Sequence, residues 1–316
     1  MNLLGSERVP FAFLIDFLSE QPVVLPLSQC QNNGLYFIFP NASIVPPIQA
    51  ALPDAPVFHP KPSKFADYKK GYKTVMQNLT HGNSYLTNYT ISTRVITNYS
   101  PETLFGRLNS KYQVLYQSNF ICFSPETFIT IHDNTIRSFP MKGTIDASVP
   151  NAEHSLRNNP KEIAEHNTIT DLIRNDLNQV AQKVAVSRAK FIDTIEAQGR
   201  KLLQMSSEVS GSLPKGWQGQ IGDILYKLLP AGSICGAPKE KTVEIILDSE
   251  SHSRGYYTGV FGVFDGQTVD SCVLIRFLEQ THKGIFFYKS GGGITIRSEI
   301  DSEFEEANKK VYVPVV

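Results

Sequence analysis

The sequence predicts an α+β protein, a large single-domain α/β sandwich of two packed, mainly antiparallel sheets covered by helices. Three observations predict it. Strand-like and helix-like blocks follow one another irregularly, without the β-α repeat of a doubly wound sheet. Apolar alternation within the strand-like blocks is only partial, as expected where both faces of a sheet are covered. With 41 % hydrophobic residues among 316, the chain also has material for a sizeable core.

Element by element, residues 1–60 are expected to form a reduced N-terminal strand region packed on the core, and residues 61–316 the main domain. Residues 35–39 read as a strand, and Pro46, Pro47, Pro53, Pro56 and Pro60 as an extended connector. Phe65, Tyr68, Tyr72, Val75, Met76 and Leu79 recur at helical spacing and predict a helix over 65–78, closed by His81-Gly82. Strands are expected over 84–96, 113–123, 127–131 and 135–139. Pro160 in a first turn, with Ile163, Ile169, Leu172, Ile173 and Leu177 behind it, predicts a helix over 160–186. Strands follow over 191–207, turning at Gln198-Gly199, then helices over 223–228 and 239–249. Strands return over 256–264, 271–279 and 285–290, and a last helix covers 302–311.

Charge and cysteine content exclude several classes of function. Thirty basic residues against thirty acidic ones leave no net field of the kind a general nucleic-acid binder needs. The most apolar N-terminal stretch, residues 9–18, is interrupted by Asp16 and is far below the roughly 20 residues of a bilayer span. Neither a membrane nor a nucleic acid is therefore an expected partner. Cys30, Cys122, Cys235 and Cys272 are scattered, which argues for free thiols in a cytoplasmic setting and against zinc.

Four segments carry residues that a fold alone does not require. In Ser138-Phe-Pro-Met-Lys-Gly-Thr144, Lys142 reads first as a solvated loop lysine. Gly143, which permits close backbone approach to a ligand, and the hydroxyl of Thr144 weigh against that reading, and a desolvated amine there would be a nucleophile. In the helix from Pro160, Glu162 and Glu165 share a face, while His166, Asn167, Asn175 and Asp176 are poor helix formers. A charged solvent face is the ordinary alternative. Gly232, Gly236 and Pro238 form a tight turn whose amides could hold an anion, or a plain helix entry. In the C-terminal run, Gly291-Gly-Gly293 follows a strand, and Glu303, Glu306 and Lys310 lie on one helix face. Two Glu pairs on two helices suggest a divalent cation, and oxygen ligands without Cys favour Mg2+. The ligand would then be an anion, with Arg276 suited to clamp a carboxylate or, alternatively, to pair with Glu279.

Taken together, these stretches resemble the chorismate-utilising enzymes. The matched segments are Ser124-Pro-Glu-Thr-Phe128, Pro140-Met-Lys-Gly-Thr144, residues 161–177, residues 232–239, Arg254-Gly-Tyr-Tyr-Thr-Gly259, residues 291–294 and residues 303–310. They run in the family's order from about residue 60 to the end. The resemblance implies an anthranilate synthase component I-like fold and a chorismate-binding catalytic domain over 61–316. Lys142, where anthranilate and isochorismate synthases generally have Ala, points within the family to the aminodeoxychorismate synthase component I branch, in 4-aminobenzoate and folate synthesis. That branch implies Mg2+-dependent amination of chorismate at C4 with ammonia, drawn from glutamine by a partner amidotransferase subunit.

By the same resemblance, Glu165 and Glu306 bind Mg2+ directly, and Glu162 and Glu303 hold its waters. Gly291 and Gly293 offer amides to the ring carboxylate. Arg276, Tyr257 and Lys310 hold the enolpyruvyl carboxylate, with Gly143 and Thr144 also at the substrate. Glu126 is the general acid, and Lys142 the nucleophile that forms a covalent intermediate at C2. Lys142 must then be a free amine beside a protonated Glu126. Gln204 stands where relatives often carry a His tied to pyruvate elimination, Cys235 replaces a usual Thr, and no base stands near Leu86. The alternatives are anthranilate, isochorismate or salicylate synthesis and, from another class, a chorismate-binding subunit without turnover.

Overall fold

The computed structural model describes residues 1–47, 51, 53–108, 110–197, 200–281 and 284–313. Its secondary structure is the expected α+β mixture of helices and two mainly antiparallel sheets. The chain forms two compact units, each built from three segments. The first comprises Met1–Pro10, Thr127–Ser233 and Phe264–Ser271, and the second Phe11–Glu126, Ile234–Val263 and Cys272–Val316. The sequence places a boundary near residue 60 and one unit beyond it; in the structure residues 11–60 share a unit with 61–126, and residues 127–233 belong to the other.

In the first unit the strands run in the order Met141–Asp146, Arg200–Ser212, Thr135–Ser138 and Thr127–His132, with Gln182–Ala197 also paired to Arg200–Ser212. These pairings are antiparallel. The turn expected at Gln198-Gly199 lies outside the described residues. Helix Pro160–Asn178 lays Ile169, Ile173 and Leu177 into the core.

That helix stops eight residues short of the expected 186. The amides of Val180 and Ala181 both turn back to the Leu177 carbonyl. From Gln182 onward the chain is strand, with Ala185 opposite Ser210 and Val186 opposite Val209. The β-branched Val184 and Val186 alternate at i, i+2, Val186 finds its partner in Val209 some twenty residues away, and sheet formation prevails. A short helix, Ala152–Asn158, was not expected from the sequence.

The second unit holds a nine-stranded sheet. Its order is Gly236–Ala237, Leu86–Thr97, Phe286–Ile294, Phe277–Gln280, Phe120–Ser124, Tyr112–Tyr116, Leu35–Ile38 and Ser43–Ile44, and Phe58–Lys61 pairs with Leu86–Thr97. Strand Phe11–Ile15, the apolar N-terminal stretch, is buried along its whole length. Its Ala12 and Leu14, with Phe261 and Val263, pack onto Leu35, Phe37, Val114, Cys122 and Phe277 of the nine-stranded sheet. Helix Phe65–Thr80 sets Tyr68, Tyr72, Val75 and Leu79 against Tyr89, Ile91, Ile245, Ile294 and Ala307. Helix Lys239–Ser249 has the bounds expected of it.

Four strand expectations in this unit change. Residues 113–123 form a hairpin, because Gln117 and Ser118 (φ 48° and 57°) take the left-handed pair that turns two strands tightly. The strand expected over 256–264 starts at Val260, since Tyr257 and Gly259 close successive turns onto Arg254 and Tyr256. The strand expected over 271–279 breaks between Val269–Val273 and Phe277–Gln280, with Arg276 left-handed at φ 55°. The three glycines do not follow a strand but lie inside Phe286–Ile294.

Gly291 sits opposite Thr90, and a Cβ there would stand 2.3 Å from the Tyr89 carbonyl oxygen and 2.7 Å from Thr90 Cα. Backbone cannot yield as a side-chain tip can. Gly291→Ala is therefore expected to destabilise the fold by about 1–3 kcal/mol, the usual range for overpacking, as read from its urea midpoint.

All four cysteines are buried, and none of them is in a disulfide. No helix among the described residues is long and apolar enough to cross a membrane.

Candidate active site

In the first unit the candidate chemistry gathers on strand Met141–Asp146 and the facing helix Pro160–Asn178. Met141 is opposite Ser206 and Thr144 opposite Gln204, so the strand carries one extra residue and bulges at Lys142-Gly143. A bulge re-aims the side chain it contains. Gly143 takes φ 87°, open to glycine at little cost, and a Cβ on it would come within 3.0 Å of both Glu162 Oε2 and Leu156 Cδ1. The glycine thus lets the strand approach the acidic helix. Lys142 Nζ reaches Glu165 Oε2 at 2.9 Å, with side chains 35 % and 18 % exposed. The lysine neither points freely into water nor lies in an apolar pocket; it is ion-paired to one of the expected metal ligands. Thr144, beyond the bulge, is exposed.

In the second unit the glycine strand Phe286–Ile294 lies beside helix Ile300–Lys309. A point one Cβ out from Gly292 is 3.5 Å from Glu306 Oε1, 3.6 Å from Glu303 Oε2 and 3.8 Å from Lys310 Nζ. The three residues expected on one helix face do converge, and they do so over the middle glycine. Lys310 pairs with Glu306 at 2.7 Å and donates to the Gly291 carbonyl at 2.8 Å, tying the helix end to the strand. Gly293 is opposite Asn88, and a Cβ on it would meet Leu86 at 2.9 Å. Burial, with help from Glu303, pushes the Tyr68 and Tyr72 hydroxyls toward the neutral form.

Tyr257 and Arg276 belong to the same unit. Tyr257 is buried, and burial raises its hydroxyl well beyond the ordinary range. Arg276, in its left-handed kink, sets its guanidinium 5.7 Å from the Tyr312 ring centroid. Burial works against its charge, but Tyr288, Tyr312 and Tyr257 together favour it. Glu279, the alternative partner for Arg276, is taken instead by Lys289 at 2.9 Å. Glu126 is half-buried between two strands; its amide donates to Ser124 Oγ at 3.1 Å and its carbonyl accepts from the Val273 amide at 3.1 Å.

The turn over 232–239 is used by the fold. Gly236-Ala237 pairs with Thr87 and Leu86, and the Ala237 carbonyl accepts from the Tyr85 amide and the Ser84 hydroxyl. Cys235, where relatives often have Thr, is buried with its thiol on the Lys239 carbonyl at 3.8 Å.

Two arrangements escaped the sequence analysis. Arg254 and Glu250, each 2 % exposed, pair through two bonds of 2.9 and 2.6 Å. Glu250 also accepts from the Thr90 amide and hydroxyl, while Arg254 donates to the carbonyls of Ile234 and Asn88. The i,i+4 spacing of the pair was visible, but helix Lys239–Ser249 has ended before Glu250, so spacing alone did not join them. The second arrangement, His166 with Ser207, spans 41 residues and left no local signal.

Among the described residues no group of three or more His, Cys, Asp or Glu side chains is placed to hold a metal ion. The carboxylates instead stand as two pairs, Glu162 with Glu165 and Glu303 with Glu306, and in each pair one member holds a lysine ammonium. Oxygen donors that already attract cations fit a hard divalent ion whose remaining ligands are water and substrate. On donor chemistry the residues fit Mg2+.

Residues 46–315 match the family described as chorismate binding enzyme, and the chain belongs to that family. Among curated proteins, an uncharacterized PabA-like protein of Haemophilus influenzae is 49% identical over 317 residues, 99% of this chain and 95% of its own length. Aminodeoxychorismate synthase component 1 of Bacillus subtilis is 30% identical over 258 residues, 78% of this chain and 54% of that protein. Among solved structures, MenF, the menaquinone-specific isochorismate synthase from Escherichia coli, superposes with a TM-score of 0.71 over 96% of this chain and 77% of that one, at 17% identity. The last is a likeness of fold.

Proposed function

We propose that the protein aminates chorismate at C4 with ammonia to give 4-amino-4-deoxychorismate, in the manner of aminodeoxychorismate synthase component 1. The observation that carries this reading is Lys142, a primary amine set in a glycine bulge against the acidic helix. Glu126 gives its proton to the C4 hydroxyl, which leaves as water while the Lys142 amine bonds to C2, both conjugated ring double bonds shift (C1=C2 to C1=C6, C5=C6 to C4=C5), and the nitrogen releases a proton to solvent. Ammonia then bonds to C4 and gives up a proton, both double bonds shift back, and the C2–nitrogen bond breaks as that nitrogen takes a proton, returning the Lys142 amine. The nitrogen gained at C4 replaces the oxygen lost, so no oxidant or reductant is needed. A general acid positioned in this way contributes about 10²–10⁴-fold.

Attack needs Lys142 Nζ unprotonated, and Nζ lies 2.9 Å from Glu165 Oε2. The proton must therefore leave Nζ, and the Glu165 contact must loosen, before the bond to C2 forms. Bound Mg2+, with Glu162, Glu165, Glu303 and Glu306 as candidate ligands, would supply the positive charge that neutralises the ring carboxylate and draws electrons from the ring. Arg276, Tyr257, Lys310 and the amides of Gly291 and Gly293 are assigned to the substrate carboxylates, and Gly143 and Thr144 to the substrate beside Lys142. Glutamine, through a partner amidotransferase subunit, is the proposed ammonia source.

The test is purified protein with chorismate, Mg2+ and an ammonium salt, products being separated by chromatography. Accumulation of 4-amino-4-deoxychorismate, absent when Mg2+ is chelated, is expected. Anthranilate, isochorismate or salicylate would assign another branch of the family, and unchanged chorismate would leave binding without turnover.

A further inference from the structure

Beyond the residues assigned above, the first unit contains a buried three-way junction behind Lys142. His166, 1 % exposed, follows Glu165 directly on the acidic helix. Its Nε2 lies 2.7 Å from Ser207 Oγ. Ser207 is itself bonded in two further directions: its oxygen accepts the Lys190 amide at 2.9 Å, and its own amide donates to the Pro140 carbonyl at 3.0 Å. One serine thus ties together the acidic helix, the bulged hairpin strand Gln182–Ala197 and the chain two residues ahead of Lys142.

The Ser207 hydroxyl accepts from the Lys190 amide and keeps both a proton and a second lone pair for His166 Nε2, so this bond forms with either imidazole tautomer. The ring is buried and also faces the Lys142 backbone. A phenylalanine or leucine would fill this space without burying a polar ring, so packing alone does not account for an imidazole here. The hydrogen bond instead fixes the rotation of the helix about its axis. Glu165, the next residue back, is thereby aimed at the Lys142 bulge.

We propose that His166 and Ser207 form a clasp that positions Lys142 and Glu165 relative to each other, His166 being a positioning residue that does not touch substrate. The inference rests on the reading of Lys142 as the reacting amine. It deepens that reading by naming what holds the amine in register.

The test compares His166→Leu, His166→Gln, Ser207→Ala and the double variant His166→Leu/Ser207→Ala in the ammonia-dependent reaction. Misplacing the lysine without disturbing substrate contacts predicts a fall in kcat of about 10- to 100-fold with little change in KM for chorismate. His166→Gln, whose amide can reach Ser207 where Nε2 did, is expected to restore most of the rate. The double variant should be no slower than the slower single variant, as for two halves of one interaction. Unchanged kcat in folded Ser207→Ala, or losses that multiply in the double variant, would overturn the clasp. If His166→Leu does not fold, Ser207→Ala and His166→Gln still decide.

A second readout does not depend on turnover. Reductive methylation of Lys142, followed by peptide mass spectrometry, reports the surroundings of its amine. A changed labelling rate in Ser207→Ala supports the clasp even if the wild-type protein aminates nothing, in which case only the proposed function fails. An unchanged rate sinks the clasp whatever the activity.

Discussion

Lys142→Ala is expected to abolish the covalent chorismate adduct and the amination while leaving Mg2+-dependent chorismate binding in place. The reason lies in what the side chain does and does not hold together. Its ion pair with Glu165 joins two partly exposed groups, 35 % and 18 % accessible. Pairs of that kind contribute about 0–1 kcal/mol, so losing this one should barely move the unfolding curve. The loss therefore falls on chemistry. Lys142→Arg sharpens the point, because guanidinium retains the charge and can keep the Glu165 contact but is not deprotonated in proteins. Both variants should fold, bind chorismate and show no adduct by intact-protein mass spectrometry. An adduct that persists in Lys142→Ala would remove this residue from its assigned role.

Glu250→Ala is expected to show the largest loss of stability among the single changes considered. Its carboxylate accepts two bonds from Arg254 and two from Thr90, and with it gone Arg254 would remain charged at 2 % exposure. Breaking a buried pair by removing one partner typically costs about 3–5 kcal/mol, since an uncompensated charge stays behind. The loss should spread beyond the pair. Arg254 also holds the carbonyls of Asn88 on strand Leu86–Thr97 and Ile234 before helix Lys239–Ser249, and its own carbonyl accepts from Lys289 at 2.9 Å. Burial holds Lys289 below the ordinary lysine range despite its pairing with Glu279. Urea unfolding of Glu250→Ala, Arg254→Ala and the double variant should give a double loss well short of the sum. A Glu250→Ala loss under about 1 kcal/mol, the size of an exposed pair, would contradict this account.

What the sequence made legible was whatever it encodes locally. Helix Phe65–Thr80 could be read because its buried Tyr68, Tyr72, Val75 and Leu79 recur within one stretch. Glu303, Glu306 and Lys310 could be placed on one face for the same reason, and they do converge on Gly292. Where the deciding partner lies far along the chain, local pattern failed. The helix expected over 160–186 ends early because its helical spacing stops at Leu177, and the partner that makes Val186 sheet, Val209, lies far along the chain. Arg276 was read inside a continuous strand, since nothing nearby announces a left-handed arginine. The glycines were read as following a strand, although their lack of side chains is what lets Gly291 lie against Tyr89 and Thr90 within one. The division into two units formed from interleaved segments, and the link from His166 to Ser207, depend on contacts that no short window contains.

The resemblance read from seven short stretches led to the family that the chain belongs to, and the residues carrying it group by unit. Lys142, Gly143, Glu162 and Glu165 lie together in the first; Gly291, Glu303, Glu306 and Lys310 lie together in the second.

The most direct measurement of the central claim is the fate of nitrogen. Purified protein is given chorismate, Mg2+ and ammonium enriched in heavy nitrogen, and the product is examined by nuclear magnetic resonance and mass spectrometry. The account predicts one heavy nitrogen bonded to ring carbon C4, with the enolpyruvyl group retained. Heavy nitrogen at C2, or a product containing none, would contradict it.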